Sequence, residues 1–181
     1  MIIVIILVFA GYWKIKFIVA KNIADNYLAE KYDDKMVYKS SSYVFIDTAG
    51  YYIRYASEKN PNVCFNVLIN SSLFTKNISI SDQYKLMLFQ WGLQEEMNAA
   101  FYDQLIELGA DTELWVSLHY YVNDELDIDA PIYETQKEIP YGISIYTKCT
   151  STEKFDEFNN YVYQKGYNPQ NIDFFPLTIK N

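Results

Sequence analysis

The longest amphipathic pattern in the chain runs from Ser81 to Gly109. Ser79, Ser81 and Asp82 favour a helix start, and Gly109 favours a helix end. At about 100° per residue, most charged side chains share one narrow sector, and apolar side chains fill most of the remaining surface. A helix of this kind is buried on several sides. We therefore predict two buried side chains, Trp91 and Phe101, and three exposed ones, Glu96, Asp103 and Glu107.

Alternating apolar and polar residues predict strands on both sides of this helix. Before it, short turns at Thr48–Gly50 and Asn60–Asn62 separate three strands, and connections this short make antiparallel neighbours. After it, Thr150 and Glu153 have the form of a capping box and predict the start of a second helix, which Gly166 ends. The predicted strands are Tyr43–Asp47, Tyr51–Ala56, Val63–Asn70, Leu114–Val122, Ile139–Cys149 and Phe174–Ile179.

This order of elements predicts an α+β fold with an N-terminal membrane-anchor helix, an antiparallel β-meander, a long central helix and then β-β-α-β. A ferredoxin-like sandwich from Val63 onward is the alternative, because its order is also βαββαβ. The short turn at Pro61 favours the meander, since short connections nearly force adjacency. We predict that residues 21–181 form one α+β domain, with 21–78 and 79–181 as an alternative division of one core.

The N-terminal segment is the most apolar part of the chain. Met1–Trp13 contains no charged side chain, and Lys14 and Lys16 can extend towards lipid headgroups. Counted to Ala20, the run reaches the length of about 20 residues that a membrane span needs. We predict that residues 1–20 are a membrane anchor or an uncleaved signal, with a buried N-terminal strand as the alternative. The lysines follow the run, which favours a cytoplasmic body by the positive-inside rule; a start codon placed too late would reverse this.

Composition limits the partners of the protein. The chain has 181 residues and a net charge of -8, so its surface repels phosphate backbones and we expect no nucleic-acid partner. Tyrosine is abundant, at 18 residues. Its even spread along the chain favours codon bias over a clustered sugar- or partner-binding surface.

One segment carries a family resemblance. Ala24–Tyr32 reads ADNYLAEKY, follows the apolar run and precedes a predicted meander that contains Asn60 and Pro61. In these features the chain resembles the YfjL-like family, small membrane-anchored proteins of Gram-positive bacteria. The resemblance implies an anchored α+β domain that faces outward, at the cell membrane, with no catalytic residues to carry over. The chain lacks the usual lysines before the apolar run, which leaves its orientation open.

Few residues suggest metal, nucleophile or cofactor chemistry. His119 is the only histidine, which excludes multi-histidine metal sites. Cys64 and Cys149 both fall in predicted strands; they could pair outside the cell, but we favour free thiols over a disulfide. The chain has neither a nucleophile-elbow serine nor a glycine-rich phosphate loop. We therefore predict no metal and no cofactor.

Carboxylates are the remaining candidates for a binding site. Glu95 is the one charged residue of the long helix outside its polar sector, where it could be a functional acid or a hydrogen-bonded structural one. Asp124, Asp127 and Asp129 lie in an acidic loop that suggests a cation site. The EF-hand pattern fails there, since Ala130 and Gln136 occupy the places of the required Gly and Glu.

The sequence predicts a membrane-anchored protein of the Gram-positive cell envelope. We expect a non-catalytic interaction or binding module, with the membrane contacted through residues 1–20 and a protein as a candidate partner. The alternative is a carboxylate-based hydrolase that acts on cell-wall material through Glu95 and the acidic loop.

Overall fold

The computed structural model describes residues 2–44, 50–70, 78–118 and 139–177, with side chains from Gly11 onward. The contacts of the chain divide it into two compact units, Met1–Met87 and Leu88–Asn181. The elements in chain order are α1 Ile2–Lys31, β1 Met36–Val44, β2 Gly50–Ser57, β3 Cys64–Asn70, β4 Ile80–Asp82, α2 Tyr84–Ala100, α3 Tyr102–Leu108, β5 Glu113–Leu118, β6 Tyr141–Thr147, α4 Thr152–Gln164 and β7 Asn171–Pro176.

The first unit is an antiparallel sheet in the order β1-β2-β3-β4, which confirms the predicted meander. Alternation along the two central strands sends every second side chain to one face, as the pleat requires. In the register of β2 with β3, these side chains lie directly opposite one another, and all of them are buried. The three cross-strand pairs are Tyr51–Ile69, Ile53–Val67 and Tyr55–Phe65.

Helix α1 continues without a break to Lys31 and packs on this face of the sheet. Ala20, Ala24 and Leu28 recur every fourth residue and are buried, because residues four apart share one side of a helix. Phe17 packs edge-on against the Tyr51 ring, with 5.4 Å between their centroids. The C-terminal half of α1 therefore belongs to the core of the first unit.

Residues 2–20 of the predicted anchor, residues 1–20, lie in α1, and the side chains of residues 1–10 are outside the described residues. In the part of the chain that the structure describes, no helix has the length and apolar character needed to cross a membrane. This finding gives no support to the predicted membrane-anchor helix.

The predicted single helix from Ser81 to Gly109 is wrong. The structure has two helices there, and the first begins at Tyr84. Ser81 lies in strand β4, and the Asp82 carboxylate accepts the Tyr84 N–H at 2.9 Å just before α2 begins. Phe101, with φ -110° and ψ 12°, separates α2 from α3. The Phe101 ring is fully buried among aromatic rings of residues that lie later in the sequence. These are Phe158, Tyr161 and Tyr167, with centroids 5.8, 6.0 and 5.1 Å away.

In the second unit, β6 is the central strand, antiparallel to β5 and parallel to β7. Helix α4 connects the parallel pair, as such pairs require a crossover. The inward side chains of β5 and β6 form one core with residues of α2, α3 and α4. Those inward side chains are Leu114, Val116, Tyr141, Ile143 and Ile145.

Two further predictions are corrected here. The ferredoxin-like alternative is wrong for the described residues, because β3 pairs with β2 and β4 in a sheet separate from β5–β7. The N-cap of α4 is Ser151 rather than Thr150, since the Ser151 hydroxyl accepts the Lys154 N–H at 3.4 Å. Gly166 follows α4 with φ 86°, a conformation that favours glycine at a helix end.

The predicted exposure pattern of the long helix is mostly confirmed. Phe101 is buried, and Asp103 and Glu107 are exposed. Trp91 is only partly buried, and Glu96 is also half-buried because it accepts the Tyr167 hydroxyl at 2.6 Å. A helical wheel contains no information about Tyr167, which comes from beyond α4.

Candidate binding surface on the second unit

The side of the β5–β7 sheet opposite to α2, α3 and α4 presents nine residues in three cross-strand rows. We call this surface the aromatic face. Strand pairing defines the rows, since directly opposed residues point to the same side. The rows are Glu113–Tyr146–Phe175, Trp115–Ser144–Asp173 and Ser117–Gly142–Asn171.

Three large aromatic side chains on this face remain in contact with solvent. Trp115 is 54% exposed, Phe175 is 40% exposed and Tyr146 is 37% exposed. The Tyr146 and Phe175 rings stack, with centroids 5.3 Å apart. The Trp115 indole N–H donates to a Glu113 carboxylate oxygen at 3.1 Å, which orients the indole. Contiguous exposed apolar area of this kind marks interaction sites on soluble proteins.

The charge on the aromatic face is entirely negative. Its nine positions include two acids, Glu113 and Asp173, and no basic residue. The Asp173 carboxylate accepts a hydrogen bond from the Asn171 side-chain amide. The sequence of the whole second unit has 16 acidic and 5 basic residues. A cation near this face therefore meets an attractive field, and an anion meets a repulsive one.

Two grooves border the aromatic face. One of about 770 Å³ runs along Trp115, Ser144 and Tyr146. A second of about 300 Å³ lies between α2 and the start of β5, and it shares Glu113 and Trp115 with the first. Glu95, which the sequence singles out, lines this smaller groove and is exposed.

Glutamines on α2 occupy the edge of β5 that lies away from β6. The Gln94 side chain donates to the Leu114 carbonyl and accepts the Val116 N–H, the latter at 2.6 Å. Gln90 donates to the Val116 carbonyl at 2.9 Å. An unpaired strand edge would otherwise be a template for another strand. The aromatic face, rather than this edge, is therefore the surface that β5 offers to a partner.

The structure does not bring the remaining predicted site residues into one described cluster. Asp124, Asp127, Asp129 and His119 lie outside the described residues. Cys64 and Cys149 are both free thiols, and they belong to different units. Within the described ranges, no group of His, Cys, Asp or Glu side chains is arranged to hold a metal ion.

The first unit has a polar groove of about 520 Å³, and two of its acids, Asp25 and Asp34, are hydrogen-bonded within the fold. Burial acts to raise the pKa of Asp34, but hydrogen bonds from Ser57 and Tyr84 outweigh it, and the pKa lies below its usual value. Burial, together with the bond to Asp34, raises the pKa of Tyr84 to about 12. Asp25 accepts the Tyr55 hydroxyl at 2.7 Å. These acids hold α1 and its C-terminal extension on the sheet.

Sequence reasoning missed the aromatic face as a unit. Its one available signal was the outward alternation of Glu113, Trp115 and Ser117 in β5, which places a tryptophan among polar residues. Comparison of the chain with protein-family models, curated proteins and solved structures gave no match. The resemblance to the YfjL-like family therefore stays a prediction.

Proposed function

We propose that this protein is a non-catalytic protein-interaction module of the cell envelope, and that the aromatic face is its recognition surface. One observation carries the proposal: Trp115, Tyr146 and Phe175 are exposed together on one sheet face, beside two carboxylates. Aromatic side chains give large contact area at low conformational cost, which is why they dominate binding hot spots.

Photo-crosslinking in cells tests this surface. Ser144 lies at the centre of the aromatic face, so a photoreactive phenylalanine analogue there should give one discrete crosslinked product. The same analogue at Tyr163, which is 48% exposed on α4, is the matched control and should give none. Equal products from both positions, or none from Ser144, would contradict a recognition role for the face.

We also propose that the protein is held at the cell membrane through residues 1–20, on the side of α1 that the core of the first unit does not cover, with its body outside the cytoplasm. Exposed apolar side chains on α1 support this: Tyr12, Ile15 and Ile18 are 49%, 60% and 50% exposed. Lys14 is exposed beside them, where it can meet anionic headgroups. Full-length protein should sediment with membranes and be cleaved by protease added to intact protoplasts. Recovery in the soluble cytosol would refute the anchor.

A carboxylate hydrolase is the second candidate, and one observation favours it. Glu95 and Glu113 line the same groove together with Trp91 and Trp115, so two acids and two aromatic rings face one space. Incubation with purified cell walls should release no soluble fragments if the protein is non-catalytic. Release that disappears in both Glu95→Gln and Glu113→Gln would establish the hydrolase instead.

A further inference from the structure

We propose that the aromatic face binds a basic, extended segment of a partner protein, with Lys or Arg side chains beside Glu113 and Asp173. This inference rests on the proposed function and names its partner class. The face has two acids and no base among its nine positions, so only a cationic partner complements its charge. A nucleic acid, an anionic polymer or a second copy of the same face would be repelled.

The aromatic rings and the two carboxylates of this face can contact the same Lys or Arg side chains. Lysine and arginine have apolar stems and a charged end, so they can cover an aromatic ring while the charge reaches a carboxylate. Trp115, Tyr146 and Phe175 supply the rings. Both acids already accept a hydrogen bond from a neighbour on the same strand, Glu113 from Trp115 and Asp173 from Asn171. The free-energy cost of ordering these two carboxylates when a cation binds is therefore small.

The register predicts the spacing of the basic residues. Glu113 and Asp173 lie on the two outer strands and in adjacent rows. Strands about 4.8 Å apart and a rise of about 3.4 Å per residue place their backbones roughly 12 Å apart. An extended segment covers about 13 Å in four residues, and those two side chains point the same way. Basic residues at positions i and i+4 thus match the two acids.

Calorimetric titration of the full-length protein with two isomeric peptides tests the inference. Acetyl-Ser-Lys-Thr-Thr-Thr-Lys-Ser has the matching spacing, and acetyl-Ser-Thr-Lys-Lys-Thr-Thr-Ser has equal charge with adjacent lysines. We expect the first to bind at least about threefold more tightly, and its affinity to fall as salt is added. Equal affinities would overturn the predicted arrangement.

Substitutions on the aromatic face, compared with matched substitutions on α3, test whether the peptide binds at this face. Trp115→Ala should weaken binding of the spaced peptide about tenfold, as truncation of a tryptophan at a binding hot spot does. Glu113→Gln combined with Asp173→Asn should weaken it by a similar factor. The control pair, Glu107→Gln with Asp103→Asn, makes the same charge change at exposed sites on α3 and should change affinity less than twofold. An equal loss in both pairs would show diffuse charge attraction and overturn the proposal.

The crosslinking experiment separates this inference from the proposed function. A Ser144 product whose partner peptide is basic supports both. A product with a neutral or acidic partner segment, or with a second copy of this chain, overturns the basic-segment inference and leaves a recognition face. The absence of both a Ser144-specific product and peptide binding overturns both. All substituted acids are exposed, so unchanged circular dichroism serves as the folding control.

Discussion

Asp82 connects α1 to the end of the meander through one buried carboxylate, whose side chain is 2% exposed. One oxygen accepts the Tyr27 hydroxyl at 2.7 Å and the Lys31 ammonium at 3.0 Å. The other accepts the Tyr32 hydroxyl at 2.9 Å and the Tyr84 N–H at 2.9 Å. Replacing this side chain by alanine removes all of these hydrogen bonds at once.

The expected loss for Asp82→Ala is about 4 kcal/mol in the free energy of unfolding. A hydrogen bond to a charged group contributes about 1.5–3 kcal/mol, but bonds to one carboxylate are not additive. Removing one partner of a buried ion pair costs about 3–5 kcal/mol, and this range sets the estimate. Asp33→Ala is the matched control, because Asp33 is exposed next to the end of α1. It should change stability by no more than about 0.5 kcal/mol.

Urea unfolding followed by circular dichroism measures both variants. Hydrogen exchange of β3 amides shows whether the loss falls on the first unit, to which Asp82 belongs. A loss below about 1 kcal/mol for Asp82→Ala would refute the argument, since it would mean that the carboxylate contributes no more than an ordinary neutral hydrogen bond.

Acid should weaken the protein through the same group. Burial acts to raise the pKa of Asp82, but hydrogen bonds from Tyr27, Tyr84, Lys31 and Tyr32 outweigh it, and the pKa is lowered. Because the unfolded chain, with a pKa of about 3.9, then binds protons more readily, the stabilisation is complete above that value. It is lost as pH falls through the folded-state pKa. Wild type should therefore lose more stability than Asp82→Ala below about pH 4; equal losses would contradict this.

Two further predictions concern α2 and its continuation. Phe101→Ala should lower the free energy of unfolding by about 3–5 kcal/mol, whereas Glu107→Ala should change it by at most about 0.5 kcal/mol. Comparable losses in urea melts would show that the polar side of the helix is also buried. Gln94→Leu should cost about 1–3 kcal/mol and speed hydrogen exchange at the Val116 amide, because the buried strand edge loses its side-chain partner. Unchanged exchange would contradict a role for Gln94 at that edge.

Local features of the fold could be predicted because neighbouring residues determine them. The turn at Asn60 and Pro61 and the alternation of Val63–Asn70 predicted antiparallel partners, and the meander has them. Asp103 and Glu107 were placed at the surface by helical periodicity alone. The break at Phe101 was missed because apolar periodicity continues through it. At this break, Phe101 packs against Phe158 and Tyr167, which lie more than fifty residues later in the sequence.

Of the candidate site, the sequence determined the residue types and the side of each strand to which they point. Alternation alone placed Trp115 opposite the buried Leu114 and Val116 of β5. Only the tertiary structure decided which strands are neighbours, because strand order depends on contacts between residues far apart in the chain. The parallel pairing of β6 with β7 put Tyr146 beside Phe175 and brought Asp173 to the same face as Glu113.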